Sequence, residues 1–201
     1  MRQVKAQPAF RRAEPDTRRL SLIAACARVL AREGASGASV RAIALEGGVS
    51  PGLVGHYFGG IDALVSATYA HVEVQVSDAL DVAVAAAGAD PRARLEAFVT
   101  ASFAPPVASG ELLATWIAFW SLVRSREDIA AQHARQYAAS RARLEVLLAE
   151  CGLPEPRLRR AAIAITALVD GLWLELCLSP EAFSPAEAGA IARAALDALL
   201  G

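Results

Sequence analysis

The sequence has little cysteine and lacks the short motifs that mark common catalytic and metal sites. Its three cysteines lie far apart, at Cys26, Cys151 and Cys177. This spacing gives neither a disulfide framework nor a metal-ligand pair, so we expect buried, reduced thiols. Three isolated histidines, without a phosphate-binding loop, a dinucleotide fingerprint or a zinc-protease motif, argue against an enzyme. We therefore expect no catalytic residue, no metal and no cofactor.

A recognisable secretion signal and a clean membrane span are also missing. The first residues are polar and basic, which argues against a signal peptide. The apolar run 161–178 approaches the length of a membrane span, but Asp170 and Glu175 interrupt it and three arginines precede it. We expect a buried helix in a cytoplasmic protein that does not enter a membrane.

Charge is divided unevenly along the 201 residues. Residues 1–60 contain nine Lys or Arg and four Asp or Glu, whereas residues 61–201 contain 11 and 17. Hydrophobic residues make up 55% of the chain, which is enough for a substantial core. A basic segment attracts phosphates, so the first 60 residues favour contact with nucleic acid. Within them, residues 1–15 lack periodicity and form either an arm that touches DNA or a disordered tail.

Residues 39–58, SVRAIALEGGVSPGLVGHYF, predict two short helices joined by a tight turn. The Ser39 hydroxyl is placed to cap the first helix, and Gly48 is placed to make the bend. Ser50 followed by Pro51 predicts a cap and first turn for the second helix. This spacing is typical of a helix-turn-helix that reads DNA. The alternative is an ordinary helical hairpin in an interaction module that does not bind DNA.

A preceding helix, from Asp16 to about Arg32 and ended by Gly34, is predicted to support the helix-turn-helix. Its expected inner stripe comprises Leu20, Ile23, Ala24, Ala27, Leu30 and Ala31. Residues 1–60 would then form a three-helix DNA-binding domain with its N-terminal arm. We call residues 1–60 the head. Residues 61–201, the body, would form a ligand-binding and dimerisation domain that starts with a long connecting helix at 63–87.

The rest of the sequence predicts helices only, so the expected fold class is all-α. The helices are expected at residues 92–103, 111–123, 127–150, 158–178 and 185–200. The helix at 158–178 is apolar almost all round, which is more surface than one core can cover. Together with the helix at 127–150, it favours a homodimer held by a four-helix bundle.

Residues 20–64, LSLIAACARVLAREGASGASVRAIALEGGVSPGLVGHYFGGIDAL, resemble the N-terminal domain of TetR-family repressors. The shared pattern is an apolar first helix, a glycine stop and a turn of the form G-V-S before an aromatic-ending second helix. In the body, TWIAFWSLV (115–123) and ALVDGLWLELCLS (167–179) resemble the BetI branch, whose members repress genes for converting choline to glycine betaine. The resemblance implies a dimeric repressor that binds a palindromic operator in double-stranded DNA and responds to a small-molecule effector.

By this resemblance, the DNA-contacting residues lie in the first three helices. Those that fall where the family touches DNA are Ser39, Arg41, Ser50, Pro51, Gly52, His56 and Tyr57, and Arg18 and Arg19 are further candidates for a phosphate contact. The family usually has a lysine at the start of the fourth helix, near Ile61 of this chain. A phosphate contact is therefore either absent or supplied by another arginine. Many relatives are basic near Glu46, so this carboxylate predicts weaker affinity for DNA.

A choline sensor must hold a quaternary ammonium group, which cannot donate a hydrogen bond. Aromatic faces and a carboxylate can hold it instead. The candidate residues are Phe103, Trp116, Phe119, Trp120, Tyr137, Asp170 and Trp173. A carboxylate in so apolar a helix as that of Asp170 needs a partner, either an arginine or a hydroxyl. In the alternative reading the aromatics only pack the core, and the repressor responds to a different apolar or cationic compound, or to none.

Overall fold

The computed structural model describes residues 15–201, which form nine α-helices and one short 3₁₀ helix at Ala101–Phe103. The α-helices are α1 (Pro15–Gly37), α2 (Val40–Glu46), α3 (Gly52–Phe58), α4 (Ile61–Ala86), α5 (Pro91–Thr100), α6 (Gly110–Leu122), α7 (Glu127–Glu150), α8 (Glu155–Leu178) and α9 (Pro185–Leu200). The all-α prediction is confirmed for this part of the chain. The proposed basic arm, apart from its last residue, lies outside the described residues.

Helix α1 is oriented mainly by the body, because it packs along α6 as well as against α2 and α4. Its buried side chains are Leu22, Ile23, Ala25, Cys26, Val29 and Leu30. The predicted stripe was therefore wrong at Leu20, which is 51% exposed, and at Ala24, which is also exposed. Alanines on several faces of α1 made two apolar stripes equally compatible with the sequence. The predicted stop at Gly34 is present as a break in the helix with φ of 68°.

The helix-turn-helix is held together by its buried residues and by local capping. The Ser39 hydroxyl accepts a hydrogen bond from the Ala42 amide at 3.2 Å, as predicted. Gly48 has φ of 61°, a left-handed conformation that glycine adopts without steric cost. Ala44 and Val54 are buried in the hydrophobic core. These contacts fix the angle at which α3 follows α2.

The start of α3 differs from the prediction. Pro51 is the N-cap residue and no side-chain hydrogen bond caps the helix, so the expected Ser50 hydroxyl cap is not formed. Ser50 contributes its backbone carbonyl instead, which accepts from the Leu53 amide at 3.1 Å. The Ser50 side chain is exposed and remains available to a partner.

The helices of the body begin and end at clear local signals and pack around one core. Helix α4 runs without a break from the head into the body and contacts α1, α3, α5 and α7. Helix α9 begins with a capping box, in which the Ser184 hydroxyl accepts from the Glu187 amide and the Glu187 carboxylate accepts from the Ser184 amide. Helices α4 to α9 pack around a common core.

Helix α8 is long and apolar enough to cross a membrane, judged by length and composition alone. It packs in the body against α6, α7 and α9. One face is buried, whereas Ile163, Leu174 and Leu178 on the other face are exposed. The same exposed face includes Gly171, where an added Cβ would meet nothing within 4 Å. A single copy of the chain therefore leaves this apolar face uncovered.

The three cysteines are free, as predicted, but only one of them is buried. Cys26 lies in the α1 core, where desolvation raises the pKa of its thiol to about 11. Cys151 and Cys177 are half-buried. The expectation of buried thiols thus holds for Cys26 alone.

Candidate DNA interface and ligand cavity

The helix-turn-helix presents an open polar surface that contains most of the predicted DNA-contacting residues. Those exposed are Arg19, Ser39, Arg41, Ser50, Pro51, Gly52 and His56, and those half-buried are Arg18 and Tyr57. A Cβ added at Gly52 or Gly55 would meet nothing within 4 Å, so packing inside the chain does not require these glycines. Their lack of side chains allows the α3 backbone to approach a ligand closely. We interpret this surface as the candidate groove-facing side.

Arg19 also links α1 to the end of α3. Its Nη1 donates to the Tyr57 carbonyl at 2.9 Å, and its guanidinium carbon lies 4.3 Å from the centre of the Phe58 ring. A cation over an aromatic face at this distance is attracted to the ring. Arg19 therefore helps to fix the orientation of α3.

Glu46 is neutralised by α1. Its carboxylate accepts from Arg28 Nε at 2.6 Å and from Arg32 Nη1 at 3.0 Å, and its side chain is only 22% exposed. These hydrogen bonds from Arg28 and Arg32 hold the pKa of the Glu46 carboxyl below its ordinary value. The negative charge that led us to predict weaker DNA affinity is compensated inside the head.

A cavity opens among α4, α5, α6, α7 and α8. About 90 Å³ is open to the centre of a water-sized sphere, several times the roughly 10–15 Å³ that one water requires. The wall is mainly apolar and carries a few polar groups, as is usual for small-molecule sites. Its lining residues are Val76, Leu80, Phe98, Val99, Ser102, Trp116, Gln136, Tyr137, Ser140, Leu144, Ile165, Thr166, Val169, Asp170 and Trp173.

Four of the seven predicted ligand residues line this cavity, namely Trp116, Tyr137, Asp170 and Trp173. Phe103 and Phe119 are instead buried in the core away from the cavity lining. Trp120 lies behind the wall, where its Nε1 donates to the Tyr137 hydroxyl at 3.2 Å. Sequence reasoning missed Phe98, Gln136 and Ser140, because nothing in their local pattern distinguishes a cavity from ordinary packing.

Asp170 supplies the carboxylate of the cavity wall. The Tyr137 hydroxyl donates to its Oδ1 at 3.1 Å, so the expected partner is a hydroxyl. Desolvation raises the pKa of Asp170 to about 6, although the Tyr137 hydrogen bond and the charge of Arg141 oppose the rise. Above that pH, the cavity contains a largely buried anion, and a bound cation would stabilise it.

The aromatic rings of the cavity are fixed by their neighbours. Trp116 stacks on Tyr69 with ring centroids 5.7 Å apart and meets Trp173 edge to face at 6.0 Å. The Trp173 Nε1 donates to the Ser102 carbonyl at 2.9 Å. Because both indoles are already held in place, little side-chain freedom remains to be lost when a ligand binds.

A helix-turn-helix with an exposed polar face, joined to a helical body that contains a largely apolar cavity, is the architecture of a DNA-binding regulator. Residues 22–68 match the family model for bacterial regulatory proteins of the tetR family, and residues 91–201 match that of the BetI-type transcriptional repressor C-terminal domain. The chain belongs to the TetR family of transcriptional repressors, with a C-terminal domain of the BetI type. It is 36% identical over 187 residues to the HTH-type transcriptional regulator BetI of Paraburkholderia phytofirmans, which covers 92% of this chain and 94% of the relative. The BetI protein of Burkholderia thailandensis is 37% identical with the same coverage. These relatives are regulators, not enzymes.

Solved structures show the same architecture. A transcriptional regulator from Pseudomonas aeruginosa PAO1 superposes with a TM-score of 0.85 at 41% identity, covering 96% of this chain and 95% of that one. A regulator from Saccharomonospora viridis in complex with choline gives a TM-score of 0.73, covering 90% and 96% of the two chains. Its identity is 19%, so this likeness establishes the fold alone.

Proposed function

We propose that this protein is a choline-responsive repressor of glycine betaine synthesis genes. The proposal depends on the desolvated Asp170 carboxylate, which lies in a cavity that is also lined by the fixed rings of Trp116 and Trp173. A quaternary ammonium ion is held by aromatic faces and by charge, and desolvated cation–π contacts contribute about 2 kcal/mol each. The BetI names of the relatives and the choline complex of the Saccharomonospora protein support this choice of ligand.

The proposed regulator acts as a homodimer through α7 and α8. On α8, Ile163, Leu174 and Leu178 form an exposed apolar stripe, and Val146 on α7 is 57% exposed. Gly171 within the stripe leaves room for a partner helix to approach closely. Two such helix pairs would form a four-helix bundle and place two heads over the half-sites of a palindromic operator. A protein that reads operators in this way acts in the bacterial cytoplasm.

A different cationic or apolar effector is the second candidate. The cavity wall is largely apolar, and Gln136 and Ser140 add polar groups that suit several small ligands. A neutral ligand has no charge to pair with the Asp170 carboxylate, so charge separates choline from an apolar effector.

Calorimetric titration can make this separation with two compounds of the same shape. Choline carries the charge, and 3,3-dimethyl-1-butanol replaces its nitrogen with carbon. We expect the neutral compound to bind about 30-fold more weakly, which corresponds to one cation–π contact of about 2 kcal/mol. Asp170→Asn should also weaken choline binding, whereas Glu111→Gln, which changes an exposed carboxylate on α6, should not. Equal binding of both compounds would favour an apolar effector.

The regulatory step is tested with an operator selected in vitro from random duplexes. Binding of the protein to this operator is measured at constant salt with and without saturating choline. A choline-responsive repressor must show different affinities in the two conditions, because an effector acts only through its preference for one state. Unchanged affinity at saturation would exclude choline as the effector and leave the repressor class intact.

A further inference from the structure

We infer that Arg126 is a positioning residue that clamps the first turn of α4, and with it the recognition helix α3, to the body. Arg126 is the N-cap residue of α7, at the turn that follows α6. Its Nη1 donates to the Asp62 carboxylate at 2.9 Å, and its Nη2 donates to the Asp62 backbone carbonyl at 2.9 Å. Arg126 thus contacts both the side chain and the main chain of α4.

The other edge of the same guanidinium is fixed to α7. Arg126 Nε and Nη2 donate to the Asp128 carboxylate at 3.1 and 2.6 Å. The Arg126 side chain is only 17% exposed, although it lies at a turn. A planar guanidinium can serve two carboxylates and a carbonyl at once, which an ammonium group cannot do with the same geometry. The partner carboxylates are exposed, Asp62 at 82% and Asp128 at 46%. Ion pairs with exposed partners contribute little to stability, so we assign this network a geometric role.

The covalent link between α3 and α4 explains why a clamp is needed. Only Gly59 and Gly60 separate the two helices, and both have positive φ, 78° and 156°. Glycine permits many backbone conformations, so this link by itself defines the direction of α3 weakly. Arg19 holds α3 from α1, and Arg126 holds the start of α4 from the body.

The clamp also connects the head to the helix that lines the cavity. Gln132, on α7, donates to the Ser66 hydroxyl of α4 one turn further along. Tyr137 and Gln136, on the same helix, reach the cavity wall. The inference rests on the proposed dimer in one respect, since the benefit of a fixed head is largest when two heads must meet two half-sites.

Hydrogen exchange of the DNA-free protein tests the clamp itself. In Arg126→Gln, amides of residues 64–67, whose hydrogen bonds close the first turns of α4, should exchange faster, because the start of α4 opens more often. Arg124→Gln is the matched control, since it removes the same charge from the same turn at an exposed position. Arg126→Lys keeps the charge without the planar fork and should behave like Arg126→Gln. Unchanged exchange in Arg126→Gln, or full restoration by lysine, would overturn the inference.

DNA binding then separates positioning from direct contact. On an operator with two half-sites, Arg126→Gln should bind DNA about fivefold or more weakly than the wild type. This loss is a small part of the 10²–10⁴-fold gain in affinity that linking two heads provides. On a duplex with one half-site the loss should stay below about twofold, and the salt slope should not change. A plot of log K against log salt concentration that is shallower by about 0.9 per subunit in the variant would show that Arg126 contacts a phosphate, and would overturn the inference. If the wild type gains nothing from the second half-site, the palindrome proposal fails, and the exchange result still decides the clamp.

Discussion

Replacing Asp170 by asparagine should make the ligand-free protein more stable while weakening its binding of cations. Burial raises the pKa of Asp170 from 3.8 to about 6, which means that folding penalises the ionised form. A difference of about two units corresponds to about 3 kcal/mol at neutral pH, taken as an upper bound. Asparagine removes this penalty and still offers an oxygen to the Tyr137 hydroxyl, so we expect roughly 1–3 kcal/mol of stabilisation.

The sign of the pH dependence provides the decisive check. A carboxyl with a raised folded pKa destabilises the protein above that pKa, and stability returns as the pH falls through about 6 towards 3.8. The thermal midpoint of Asp170→Asn should therefore exceed that of the wild type by several degrees at pH 8. The difference should shrink at pH 5. His133, whose pKa burial lowers, is present in both proteins and drops out of the comparison. A variant less stable than the wild type at pH 8 would refute the reasoning.

Three further predictions concern ligand binding, assembly and the head. If choline pairs with ionised Asp170, its dissociation constant should rise about tenfold between pH 8 and pH 5 in calorimetry, and Asp170→Asn should flatten this dependence. Leu174→Arg should give a monomer in light scattering, because it places a charge on the apolar face of α8; a stable dimer would exclude that face from the interface. Ser39→Ala should cost about 1 kcal/mol of unfolding free energy in a denaturant titration through loss of the α2 cap, and Ser36→Ala, at an exposed position, serves as the control.

Helix positions were predictable because their signals are local. Ser184 followed by Pro185 marks the start of α9 in the sequence, and the structure adds Glu187 to complete a capping box there. Gly88 and Gly152 mark the turns after α4 and α7, and both have positive φ in the structure. The buried face of α1 was harder to predict, because small apolar alanines occur on several of its sides. The packing of α1 against α6, α2 and α4 selects the face containing Cys26 over the one containing Ala24.

The sequence predicted the chemistry of the cavity but only some of its lining residues. Asp170 drew attention because a carboxylate in an apolar helix requires compensation. Its partner Tyr137 is 33 residues away on another helix, and no local pattern specifies that contact. Phe119 is an aromatic residue three positions after the cavity residue Trp116, yet it packs against Tyr69 in the core. Tertiary packing decides which aromatics face an opening and which fill one.

The placement of the tryptophans gives the molecule a built-in optical reporter. The chain has three of them, and Trp116 and Trp173 line the cavity while Trp120 contacts its wall through Tyr137. Residues 1–60 contain none, so tryptophan fluorescence comes from the body alone. Quenching or a spectral shift on adding an effector therefore records occupancy of the cavity directly, and the same emission should stay silent to events confined to α2 and α3.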